Sequence, residues 1–283
     1  MASYGRPMHA RRMWQLIEPV HAVTYFDPIA RQPLQALGIE GFWAGYVIAR
    51  AAPLGPVGPE VATASFFGFH PRRAKVLSDA WLRLSPADAL TARSDGAVAA
   101  LRPLAGDVAE LAGLLWRAAQ GADCAGRVLA AANQVIARPD DPLAALWQAT
   151  TTLREHRGDG HVASLISHGI GPIQAMQLKV AAGESRGADL RLGRGWSDEQ
   201  WAAATRDLEA RGWLDDTGGL TAEGKQARAD VEAVTDAAAE HPWAALTPSE
   251  LTRVELLLAP LTRAVWAAGS IPASNPVGVP ATP

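Results

Sequence analysis

The stretch that most constrains how this chain can fold is Leu153-Arg-Glu-His-Arg-Gly-Asp-Gly-His161. It gathers two arginines, two histidines, a glutamate and an aspartate between sequences that are mostly Ala and Leu. Residues 142–153 before it read as an apolar helix, and residues 162–166 after it are apolar again. An unpaired buried charge is too costly to keep. The run must therefore pair with itself and with helix ends, or with a ligand. Gly158 and Gly160 are expected to break the helix here. That would put Arg154 and Arg157 at a helix C-terminus and Asp159 at the next N-cap.

The rest of the chain sets the surroundings. It has 283 residues, 48% of them hydrophobic and 19% charged, enough for a generous core or for two modest domains. No apolar run approaches the roughly 18 residues of a membrane helix, and the first residues do not read as a secretory signal, so the expected location is cytoplasmic. A single cysteine, Cys124, excludes an internal disulfide and a thiolate metal cluster within one chain. A net charge of −3 gives no global attraction to nucleic acid or anionic membranes.

Helix punctuation is dense. Residues 8–26 read as helical, with a kink or boundary near Glu18 caused by Pro19. Asp27-Pro28, His70-Pro71, Ser85-Pro86 and Asp141-Pro142 each open a helix, with proline at the first helical position. Residues 53–59, with three prolines and two glycines, break the pattern. Trp43 with Arg50, and Trp147 with Arg154, share a seven-residue spacing. That echo suggests a pseudo-duplicated helix–break–helix unit. Ser197-Asp-Glu-Gln200 has capping-box spacing. Trp213-Leu214 and Leu220-Thr221, around a Gly-containing turn, read as a minimal β-hairpin.

A helix, Arg211-Gly-Trp-Leu214, a turn, Leu220-Thr-x-x-Gly224 and a further helix resemble the winged-helix core of MarR-type regulators over about residues 160–240. Glu18-Pro-Val-His-Ala-Val-Thr-Tyr-Phe26, Gly41-Phe-Trp43, Arg50-Ala-Ala-Pro-Leu-Gly-Pro56, the run at 153–161 and Arg194-Gly-Trp-Ser197 resemble an actinobacterial family of helix-turn-helix proteins, some labelled SalK. The resemblance implies a winged-helix fold and carries no activity with it. The expected fold is mainly α, a helical N-terminal half packed on a MarR-like C-terminal half. The expected boundaries are 1–139, 140–270 and an irregular tail over 271–283.

Three constellations carry candidate chemistry. The first is the winged-helix region, where DNA binding is the alternative reading; charge disfavours it. Over 196–214, Asp198, Glu199, Asp207 and Glu209 outweigh Arg206 and Arg211; over 215–240 seven acidic residues face only Lys225 and Arg228. In the second, His156, His161, Glu155 and Asp159 resemble a two-His, one-carboxylate set, but glycines between them disfavour a metal site. The third is Glu18, His21, Thr24 and Tyr25 on one helical face, where a glutamate could orient a histidine base beside a tyrosine acid. The reading is a small-molecule-binding protein with a polar pocket between its halves. Glu18, His21, Tyr25, Arg50, His70, Arg154, Glu155, His156, Asp159 and His161 are its candidate ligand-binding residues, and the ligand is read as anionic. No cofactor or metal is indicated; catalysis and homodimerisation stay open.

Overall fold

Fifteen α-helices succeed one another among the described residues, which in this computed structural model are 9–273, 275 and 278. They are α1 (Ala10–Phe26), α2 (Pro28–Ala36), α3 (Phe42–Ala51), α4 (Pro59–Phe66), α5 (Pro71–Ala74), α6 (Val76–Ala80), α7 (Pro86–Leu101) and α8 (Ala109–Gln120). Then come α9 (Val128–Gln134), α10 (Pro142–Ser167), α11 (Pro172–Ala181), α12 (Gly187–Arg194), α13 (Asp198–Ala210), α14 (Ala222–Ala238) and α15 (Pro248–Ala267). Their starts follow local chemistry. Asp27, Ser85, Asp141, Ser197, Thr221 and Thr247 each accept a hydrogen bond from a first-turn N–H. Proline sits in the first turn of α2, α4, α5, α7, α10, α11 and α15, where its missing N–H costs nothing.

The central element is α10, packed against α1, α7, α8, α9 and α14. It runs unbroken for 26 residues through Gly158 and Gly160, which overturns the expected break. Packing on several sides outweighs the roughly 1 kcal/mol per glycine that an exposed helix would lose. The helix stops at Gly169, in the left-handed conformation (φ +64°), where Ile170 N–H reaches back to Leu165 O at 2.9 Å. In the same way α1 continues through Pro19 with no boundary at Glu18. The expected duplication has no matching break: α3 ends just after Arg50, whereas α10 continues past Arg154 to Ser167.

Two apolar clusters form. The larger takes residues from α1 to the first half of α10 and adds Trp243 and α15. Apolar packing thus does not divide at 139/140, because the last helix returns to the N-terminal body. The smaller cluster is Leu165, Ile170, Leu178, Leu208, Leu214 and Val231. Within it, α11 packs on α12 and α13, and one antiparallel bridge between Leu214 and Leu220 follows. Asp215 N–H donates to Gly219 O at 2.9 Å to close that turn. The expected hairpin is reduced to this bridge among the described residues. Most of the expected tail lies outside them. No helix among them is long and apolar enough to cross a membrane.

Candidate functional site

An uninterrupted α10 sorts the charged run by helical angle. Residues 154, 157, 158, 161 and 165 recur at i, i+3, i+4, i+7 and i+11 and fall on one face. That face, with Trp14 and Glu18 of α1, Leu178 and Lys179 of α11, and Arg228, Val231 and Glu232 of α14, lines a cleft of about 240 Å³. Leu165, Ile170, Leu178 and Val231 of the smaller apolar cluster form its apolar wall, and most of the remaining lining is charged.

The charged wall begins in the core. Arg50 Nε and Nη2 donate to the two oxygens of Glu155 at 2.9 and 2.8 Å, a bidentate pair with both partners buried. Arg154 Nη1 donates to Glu155 Oε2 at 2.9 Å and its Nε to Glu18 Oε1 at 3.2 Å. Glu18 Oε2 accepts from Trp14 Nε1 at 3.0 Å. Burial alone would raise the Glu155 carboxyl, but Arg154 and Arg50 outweigh it and hold it well below the ordinary value. Neighbours on a helix are splayed by about 100° and as a rule make poor partners, yet Arg154 and Glu155 pair here. The long guanidinium spans that angle while Arg50 fixes the carboxylate from the other side.

Nearer the mouth, Arg157 Nη2 donates to Asp236 Oδ1 at 2.8 Å and Glu232 Oε2 at 3.1 Å, with its guanidinium 4.4 Å above the Trp14 ring. Arg11 binds the same two carboxylates. His161 Nδ1 lies 3.0 Å from Thr235 Oγ1. Burial is the main cause that lowers this imidazole to about 4; Arg157, Lys179 and Arg228 add to it and Glu232 opposes it. Burial also lowers the Lys179 amine to about 8, against the pull of Glu184.

Of the candidate residues, Glu18, Arg154 and His161 line the cleft, with Glu155 and Arg50 directly behind Arg154. His21 and Tyr25 are sealed away from it. His21 contacts Thr151 Oγ1 at 3.0 Å and Tyr25 OH at 3.1 Å, not Glu18. Thr151 already donates to Trp147 O, so Nδ1–H donates to Thr151 and Nε2 accepts from Tyr25. That geometry replaces the expected glutamate–histidine pair. His156 and Asp159 project from the other flank of α10. His156 Nε2 donates to Asp123 O at 3.0 Å. Asp159 accepts from Ala130 N–H at 2.9 Å, so it does cap a helix N-terminus, that of α9 and not of a following helix. His70 caps α5 through Nδ1 and sets its ring against Trp196, apart from the cleft. No group of three or more His, Cys, Asp or Glu among the described residues could hold a metal ion.

Sequence reasoning missed Lys179, Glu184, Arg228 and Glu232 as cleft residues. Lys179, Arg228 and Glu232 are ordinary helix charges and Glu184 lies in the bend after α11, with no local signal to mark any of them. Arg157 was visible as part of the charged run. Away from the cleft lining, α13 exposes Asp198, Glu199 and Glu209 against Arg206, with Arg211 exposed just after it, and the bridge turn exposes Asp215 and Asp216.

No curated protein and no solved structure matches the chain. One family profile does, over residues 10–272, which takes in every helix, and the chain belongs to that helix-turn-helix family.

Proposed function

We propose that this helix-turn-helix family member binds a small anionic molecule in the cleft between α1, α10, α11 and α14. The observation behind this reading is Arg154. Its Nε and Nη1 are held by Glu18 and Glu155, while Nη2, with no hydrogen bond among the described residues and not enclosed, keeps its donors for the cleft. A guanidinium fixed at two nitrogens is pre-organised to present the third to a carboxylate. The apolar wall formed by Leu165, Ile170, Leu178 and Val231 suits a ligand with a hydrocarbon body. Calorimetric titration with 3-phenylpropanoate tests it, on the native chain and on Arg154→Lys. The expected result is saturable binding to the native chain and its loss in the variant, whose melting stays close to the parent's because a cation remains for Glu18 and Glu155. Equal binding by both, or by neither, counts against the reading.

The family assignment favours a second reading, contact with DNA through the segment from α11 to the bridge. The exposed charges of α13 and the turn oppose it, because phosphate neutralisation supplies most of the affinity. Fluorescence anisotropy with duplex DNA is expected to give weak, sequence-indifferent binding. Nanomolar affinity for one site, falling steeply with salt, would reverse the order of the two readings.

A further inference from the structure

Cations and apolar side chains dominate the cleft, and its carboxylates are engaged: Glu18 by Trp14 and Arg154, Glu232 by Arg11 and Arg157, Glu184 by Arg228. His161 differs. Thr235 Oγ1 donates its only proton to Val231 O at 2.7 Å, so it accepts from His161 Nδ1–H. This fixes the tautomer and leaves the Nε2 lone pair without a partner among the described residues. Nε2 is not enclosed, and the ring lines the cleft. The imidazole stays neutral in neutral solution, because burial, Arg157, Lys179 and Arg228 outweigh Glu232. Nε2 is thus an uncharged acceptor facing a space otherwise supplied with donors.

Charge and spacing narrow what would meet it. The cleft is lined by four cations, Arg154, Arg157, Lys179 and Arg228, against the three carboxylates. With its carboxylates engaged, the cleft suits a monoanion better than a zwitterion, whose ammonium would need an acid of its own. His161 lies seven residues beyond Arg154, about 10.5 Å along the helix, and four beyond Arg157. An anionic group at Arg154 and a hydrogen-bond donor at His161 therefore need a spacer between them, and the apolar wall lies alongside. We propose that the ligand is a monocarboxylate carrying a neutral hydroxyl at the far end of an apolar spacer, the carboxylate held by Arg154 and the hydroxyl donating to His161 Nε2. The inference rests on the anion-site reading above and adds to it the identity of the second polar group. Thr235 is a positioning residue that acts through the tautomer.

The test compares 3-(4-hydroxyphenyl)propanoate with its deoxy partner 3-phenylpropanoate, by calorimetry on the full chain at pH 7.5. The hydroxylated acid is expected to bind about tenfold more tightly, the worth of one well-made hydrogen bond. In His161→Leu the ratio between the two acids is expected to fall to about one. In Thr235→Val, a buried near-isosteric change that touches no ligand, the ratio is expected to fall partway, since both tautomers become populated. A native ratio near one, or a tenfold ratio that survives in His161→Leu, overturns the inference and leaves the anion site standing. Failure of both acids to bind removes the two together. Tyrosine, which adds an ammonium to the same skeleton, is expected to bind more weakly; equal or tighter binding overturns the monoanion assignment.

Discussion

The two flanks of α10 carry similar residues and use them differently. On the flank toward residues 121–130, His156 donates to Asp123 O, Asp159 accepts from Ala130 N–H, and Arg127 donates to His156 O at 2.5 Å and Ala238 O at 2.7 Å. Each of these groups finishes on backbone of a neighbouring segment, so this flank works as a fastening. On the flank toward the cleft, Arg154 and His161 each keep one nitrogen unsatisfied and reachable. Type and sequence position do not separate the flanks, since both draw a histidine and an acid from the same nine residues and both add an arginine. What separates them is whether backbone lies opposite. Residues 121–130, which run into α9, fill the first side, while the second side borders the cleft.

The largest effect is expected where the open flank is anchored. Glu155 serves Arg50 and Arg154 at once, and Glu155→Gln would leave two buried guanidinium groups short of a counter-charge. Breaking a buried pair from one side costs about 3–5 kcal/mol. Urea unfolding should show a loss of that order. A loss below about 1 kcal/mol, the range of a surface pair, would mean that this network is as replaceable as an exposed one, and the cleft would lose its rigid floor.

The fastened flank should show itself in pH dependence. Burial, reinforced by Arg127 and His241 against the hydrogen bond to Asp123 O, lowers His156 from 6.5 to about 4. Its folded pKa is depressed, so between those values the unfolded chain binds a proton that the folded chain refuses. The stability from neutral His156 is present above pH 6.5 and is lost as pH falls toward 4, at up to about 1.4 kcal/mol per pH unit. His21 and His161 act in the same direction, while Asp159, raised to about 6 chiefly by burial, acts oppositely. Comparing the native chain with His156→Gln, whose amide can still donate to Asp123 O, isolates one residue. The variant's stability should fall less steeply from pH 6.5 to 5. Parallel curves would show that His156 is protonated in the folded chain and that this flank is not sealed.

Much of this was legible in the sequence, for physical reasons that can be named. Asp27-Pro28, Ser85-Pro86 and Asp141-Pro142 announce helices because capping is local chemistry. The same signal at Thr247-Pro-Ser-Glu250 marks α15, which the sequence reading left unassigned, so that helix was missed despite an available signal. Arg154 had to meet an acid or a bound anion because Arg keeps its charge; Glu18 and Asp159 were both open to it, and it meets Glu18. Arg50 and Glu155 lie 105 residues apart, and nothing local links them. Nor did Glu232 and Asp236 of α14 differ, in sequence, from any solvated helix face. The wrong step was the break at Gly158 and Gly160. It rested on intrinsic propensity, which tertiary packing overrides.

Those two glycines give the finest test of the comparison. Each lowers helix propensity by about 1 kcal/mol relative to alanine, so replacement at an indifferent site should stabilise. At Gly158, on the open flank, an added Cβ would lie 3.6 Å from Glu155 Oε2 and 3.8 Å from Arg154 Nη1, ordinary contact distances. At Gly160, on the fastened flank, it would lie 2.5 Å from Nη1 of Arg127, whose guanidinium is pinned by two carbonyls, Nη1 on His156 O and Nη2 on Ala238 O. Arg127 would have to give up at least one of those bonds, at about 1 kcal/mol or somewhat more. Gly158→Ala is therefore expected to gain up to about 1 kcal/mol, whereas in Gly160→Ala the propensity gain is cancelled or slightly exceeded. Paired thermal melts would show a higher midpoint for the first variant and an unchanged or lower one for the second. If both rose together, Arg127 would be free to move aside, and the difference between the flanks would be one of degree. If both fell, the space beside Gly158 would be needed for something other than solvent, and the cleft would extend further over α10 than its lining residues indicate.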